Sequence, residues 1–199
     1  MNKTTNDSAS APRLDSFAPI HKAFRRQLFE TAVALARADF TSPAETAEAA
    51  RVTETCFTYL REHAEHEDRR VMPIVTELAP ALADDLAGEH VALERAMLDI
   101  GCLFPKLDTL EPGARFGLGA ELVRRFNAFV ADQLRHMGRE EREVNAVLWA
   151  HLDDAAIAAI TARIIADIGP TRMAEMVPII LPALNPTERA KMGPPSVAA

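Results

Sequence analysis

The chain has 199 residues, with 22 Lys and Arg against 29 Asp and Glu and a net charge of -7. So acidic a balance leaves no electrostatic footprint for nucleic acid or an anionic membrane surface. No segment reaches the roughly 18 uncharged apolar residues of a membrane span, so a soluble chain that binds neither is expected. Its two cysteines, Cys56 and Cys102, lack the spacing of a redox or metal pair, and its polar start has no apolar leader stretch; both point to the cytoplasm.

Thirteen prolines, eight glycines, one tyrosine and abundant Ala, Leu, Arg and Glu favour helix over strand, and the expected class is all-α. Residues 1–14, rich in Asn, Thr, Ser and Ala, read as a disordered tail. Ile20, Phe24, Leu28, Ala32 and Leu35 recur at helical spacing and predict a first helix from about Phe17 to Asp39. Ser42, Pro43 and Glu45 combine an N-cap, a first-turn proline and the glutamate of a capping box. The second helix they begin should run to about Arg70, where Pro73 ends or kinks it. A third follows from about Ala81 to Phe104. A fourth starts after Glu111, Pro112 and Gly113 and reaches Ala150. These elements describe an up-down-up-down four-helix bundle over residues 15–150, followed by a helical extension, 151–199. Asp153 should cap a helix ending at Gly169 and Pro170, and Asn185, Pro186 and Glu188 repeat the start signature. The extension either packs across one end of the bundle or supplies a homodimer contact.

Chemistry enters where polar residues interrupt apolar stripes. In an α-helix a residue four positions on lies about 40° around the axis and one turn along, so a histidine and a carboxylate so spaced can converge on one ion. His63 and Glu67, His90 and Glu94, and His136 and Glu140 have this spacing, each pair on a different predicted helix and on its apolar stripe. His21 places an inward histidine on the first helix. Burying several carboxylates together demands a positive counterweight, which a metal centre supplies. Two of the helices also share an order: histidine, three residues, glutamate, a second acid, then arginine, at His63 to Arg69 and at His136 to Arg142. The extra charges Asp68, Arg69, Glu141 and Arg142 read as surface groups. His66 lies off the seam and reads as exposed, Tyr59 as a core residue, and both cysteines as buried hydrophobes.

This ordered set resembles the hemerythrin-like, or HHE cation-binding, family. The resemblance rests on His21, on the run from His63 through Glu67 and Asp68 to Pro73, on Glu89 and His90, and on His136 with Glu140 and Glu141, and it covers about residues 17–150. It implies a bundle holding two iron ions bridged by an oxygen species and by carboxylates, with zinc or another divalent metal as an alternative occupant. His21, His63, His90 and His136 would be terminal ligands and Glu67 and Glu140 the bridging pair. Oxygen-carrying members place a second histidine where this chain has Glu94, and an aspartate five residues after the last histidine, where the match here is Glu140 at four. Glu94 either ligates or accepts a hydrogen bond from a ligand histidine. A carboxylate in place of an imidazole favours the ferric state. The resemblance therefore implies sensing or handling of oxygen, peroxide, nitric oxide or iron rather than oxygen carriage, with peroxidase- or oxidase-like turnover left open. The competing reading is a metal-free helical module for protein-protein interaction. A ferritin-like oxidase is excluded, because no histidine has an acid three residues before it, and an HD-type phosphohydrolase lacks its adjacent His-Asp pair.

Overall fold

The computed structural model describes residues 13–192. Among these residues every regular element is helical. The helices are α1 (Ala18–Arg37), α2 (Pro43–Arg70), α3 (Met72–Leu78), α4 (Pro80–Gly101), α5 (Leu103–Thr109) and α6 (Pro112–Arg139). A π-helical turn, Glu140–Val144, leads into α7 (Asn145–His151), α8 (Asp154–Ile180) and α9 (Pro186–Met192). No described helix is long and apolar enough to cross a membrane.

Local chemistry sets the boundaries. Asp15 opens α1 by accepting hydrogen bonds from the amides of Phe17 and Ala18 at 2.9 and 3.0 Å. The α2 start departs in part from the expected capping box. Ser42 Oγ accepts from the Glu45 amide at 3.4 Å, but the Glu45 carboxylate reaches past Ser42 to the Asp39 amide at 2.7 Å. The Ser42 amide is already bonded to the Asp39 carbonyl, so the glutamate closes the whole α1–α2 turn. Pro73, in the first turn of α3, marks the expected break, which falls at Val71. The reciprocal box is present at α9, where the Glu188 amide donates to Asn185 Oδ1 at 3.0 Å and the Asn185 amide to Glu188 at 2.9 Å.

Helices α1, α2, α4 and α6 pack in a ring, each against two of the others. Apolar residues form two clusters, one around Phe24, Leu28, Phe57, Phe126 and Phe129, the other around Phe17, Val71, Val75, Leu86 and Leu148. Each of the four helices passes between them at its histidine: α1 from Phe17 past His21 to Phe24, α2 from Leu60 past His63 and Glu67 to Val71. On α4 the order is Leu86, His90, Leu93, and on α6 it is Phe129, His136 and then Val144 in the π turn. A polar layer thus lies between two greasy ones.

The extension runs along α1 and α2 rather than across one end of the ring. Arg70 pairs with Asp167 at 2.6 Å, Arg172 with Glu62 at 2.8 Å, and Lys22 with Glu188. Ile157 and Ile160 join one cluster, and Met176, Ile180 and Leu184 the other. The helix that Asp153 caps does break at Gly169, whose φ of 74° and ψ of 163° only glycine adopts readily. Helical structure resumes after it, however, and continues to Ile180. Of the expected tail, residues 1–12 lie outside the described residues. Arg13 and Leu14 are pinned: Arg13 bonds to Asp154 at 2.6 Å and to the Leu152 carbonyl at 2.7 Å, and Trp149 donates to the Leu14 carbonyl at 2.9 Å.

Candidate metal centre

Four helices aim imidazoles at one point. His21 Nε2 lies 3.0 Å from His63 Nε2 and 3.5 Å from Glu140, and His63 Nε2 lies 3.1 Å from Glu67 Oε1. On the other side His136 Nε2 is 3.1 Å and His90 Nε2 3.7 Å from Glu140 Oε1, while His90 Nε2 is 3.9 Å from Glu67 Oε2. One donor atom from each of His21, His63, Glu67 and Glu140 falls within 4.8 Å of the others, and so does one from each of His90, His136 and Glu140. Glu140 belongs to both groups, and the two oxygens of Glu67 face opposite ones.

Six of the seven expected residues therefore converge. Glu94 does not. Its side chain, 42% exposed, turns towards Arg61 at 3.3 Å, which holds it outside both groups although its spacing from His90 equals that of the two converging pairs.

The donors are held from behind. His21 Nδ1 meets Glu141 at 3.0 Å, His90 Nδ1 meets Asp68 at 2.8 Å, and His136 Nδ1 meets Glu89 at 2.7 Å. Arg25 backs Glu141 at 2.7 Å and Arg139 backs Glu89. A carboxylate on the outer nitrogen fixes the ring orientation and raises the basicity of the inner one, as in carboxylate-histidine-metal triads. Reading Asp68 and Glu141 as plain surface charges therefore needs correction. Each is the second acid of the order shared by α2 and α6, and each reaches a histidine on a neighbouring helix. That shared order was the signal that could have found them. The π turn helps: beginning at Glu140, it lets Glu140 point into the centre while Glu141, next along the chain, turns to His21. Asn145 Nδ2 donates to the Glu141 carbonyl within the turn at 3.0 Å. His66 also differs from expectation, being half-buried, and Cys102 is exposed whereas Cys56 is buried. Tyr59 is a core residue, lying under the Arg172 guanidinium at 4.5 Å.

The electrostatics set the two buried carboxylates apart. Burial and the nearby Glu140 raise the Glu67 carboxyl to about 7, with His21 pulling the other way. Glu140 stays well below the usual carboxylate range: burial opposes its charge, and the adjacent His136 and His90 outweigh it. Burial also opposes the charged form of His21, but Glu141 and Glu67 prevail and raise it to about 9. His63, buried beside that imidazolium, falls well below its ordinary value. Despite these short distances, both oxygens of Glu67, both of Glu140 and Nε2 of His90 are buried with no hydrogen bond aligned to them. Such orphans cost about 1–3 kcal/mol each, more when charged, unless an ion satisfies them. Imidazole and carboxylate donors suit first-row divalent ions, so the cluster fits a metal site.

A centre of histidines and glutamates between packed helices is characteristic of helical metal-binding proteins. The chain matches the family model for the hemerythrin HHE cation binding domain over residues 14–164, and it belongs to that family. Comparison with the curated proteins finds no match.

Proposed function

We propose that the chain is a non-haem di-iron protein, an up-down-up-down bundle of hemerythrin type that senses or handles oxygen, peroxide, nitric oxide or iron. The observation that carries this reading is the set of buried, unbonded donor atoms on Glu67, Glu140 and His90, divided into two groups that share Glu140. The alternating passage of α1, α2, α4 and α6 between the apolar clusters supports the bundle topology. His21 and His63 would hold one ion, His90 and His136 the other, and Glu67 and Glu140 would bridge them. A pair of iron ions would supply one-electron redox chemistry and an open position for a small ligand. Zinc or another divalent ion would fit the same donors.

The chain's own residues have definite tasks in this reading. Glu141, Asp68 and Glu89 hold the outer protons of three histidines, so the inner nitrogens stay free to donate electron pairs. The proton that His21 keeps in the metal-free chain must leave when an ion enters. A cavity of about 510 Å³ between α2 and α4 reaches His63, His90 and His136, with Arg61 and Glu94 in its wall, and would admit a small polar ligand. Glu94 is tied to Arg61 there, so the His90 side has one imidazole fewer than oxygen carriers have. That shortfall favours sensing over carriage. The rival reading as a metal-free interaction module leaves the buried, unbonded carboxylates without explanation.

The test is metal analysis of protein loaded anaerobically with ferrous iron, with absorption spectra before and after admission of air. We expect about two irons per chain and the bands of an oxygen-bridged ferric pair. Fewer than about one iron per chain, or loss of neither ion when Glu67 and Glu140 are both replaced by Gln, would overturn it.

A further inference from the structure

A second cavity, of about 480 Å³, lies on the opposite side of α2 from the first. Residues of the α1 region, Phe17 and Phe24 among them, and of α8, among them Ile160, Ile164, Ile168 and Met176, form most of its wall, so the cavity depends on the C-terminal extension lying alongside α1 and α2. Its floor includes His63 and Glu67. Those two residues line both cavities, and the centre is therefore approached from two sides, one with Arg61, Asp68 and Glu94 in its wall and one more thoroughly apolar.

We infer that this chamber is a binding site for a neutral small molecule with an apolar body and one hydrogen-bonding group, delivered to the His63 and Glu67 side of the centre. The volume is that of a small-molecule site, and apolar cavities of this kind take up apolar guests in preference to water. Neutrality follows from the charges on its wall. Asp15 is engaged by the Phe17 and Ala18 amides, Glu62 by Arg172 at 2.8 Å, and the oxygens of Glu67 face His63 and His90 in the metal centre, so none is free for a cationic guest. An anion would meet the same carboxylates, with the nearby Arg70 and Arg172 already paired to Asp167 and Glu62. His66, half-buried on the wall, makes no hydrogen bond to another described residue, and its imidazole suits a hydroxyl or carbonyl.

The experiment is fluorescence titration of the full chain, metal-free and metal-loaded, with the neutral probe N-phenyl-1-naphthylamine. Saturable binding of one probe per chain is expected, weakened at least about tenfold by either Ile164→Trp or Ile168→Trp. Leu98→Trp, in the first cavity, should leave it unchanged, and melting curves confirm that each variant is folded. Displacement by 1-naphthol should exceed displacement by naphthalene, and His66→Phe should abolish that preference. Unsaturable binding, indifference to both α8 variants, or equal weakening by Leu98→Trp would overturn the chamber; a preference that survives His66→Phe would overturn its polar contact. Iron content measured on the same preparations reports on the metal centre separately, so either reading can fail while the other stands.

Discussion

Glu141 and His21 show how one contact sets the state of the site. Because Glu141 lies 3.0 Å from His21 Nδ1, with Arg25 alongside, its carboxyl falls to about 2 in spite of partial burial, and the imidazole rises to about 9. Glu141→Gln should lower metal affinity roughly 10- to 100-fold, as removal of such outer partners typically does, without unfolding the chain. Titration calorimetry with a divalent ion checks it, and unchanged affinity would refute it. A pH dependence follows with a definite sign. His21 and His90 both rise from 6.5 to about 9, against burial, through their carboxylate neighbours. A raised folded value means stabilisation that is complete below about 6.5 and lost as pH climbs through about 9. Glu67, raised to about 7, completes its change at the start of that window, and His63, depressed, completes its change below it. The melting temperature of metal-free protein should therefore fall by several degrees between pH 7 and pH 9. Ions that have displaced those protons would abolish the fall, and an equal fall in both forms would contradict this account.

At the scale of the element, two glycines carry packing and path. Gly119 on α6 faces Phe40 so closely that an added methyl would collide with Cβ, Cγ and Cδ2 of that ring. Phe40 is buried in the turn before α2 and cannot retreat, so Gly119→Ala should destabilise by about 1–3 kcal/mol despite the better helix propensity of alanine. Gly169 fails for a different reason. Open space surrounds it, but its φ of 74° is strained for any other residue, and Gly169→Ala should cost about 1 kcal/mol or more. Chemical denaturation of the two variants tests both values, and a Gly119→Ala variant as stable as the parent would show that the ring can move. Helix starts were legible because they are local: Ser42 with Pro43, Asp153 and Asn185 with Pro186 each cap where expected. The π turn was not legible, since residues 140–144 read as ordinary helix and only packing around the centre selects the wider turn.

For the whole molecule, the two apolar clusters hold between them a layer that carries two buried carboxylates, and the fold tolerates that layer best when cations fill it. Metal binding should raise the melting temperature, and the rise should continue with the logarithm of free ion concentration beyond saturation. At a free ion concentration a hundred times the dissociation constant, one site adds about 2.7 kcal/mol, or roughly 5–10 °C for a chain of this size. Replacing Glu67 and Glu140 together by Leu should remove this gain, because the shared donors of both groups are then gone. Calorimetric scans with and without chelator decide it, and a gain that survives in the double variant would overturn it.

The amino-acid order by itself determined the helical class, the capped starts and the six converging donors, because all of these follow from a period of 3.6 residues and from short-range caps. It could not place Glu94, which shares the spacing of Glu67 and Glu140 yet turns to Arg61, and although the shared order marked Asp68 and Glu141, it did not say which histidines they and Glu89 would brace. Those outcomes depend on rotation of whole helices about their axes and on partners up to 120 positions away in the chain. The course of the extension was likewise settled in three dimensions, since the apolar faces of α8 find their complement only once α1 and α2 lie side by side.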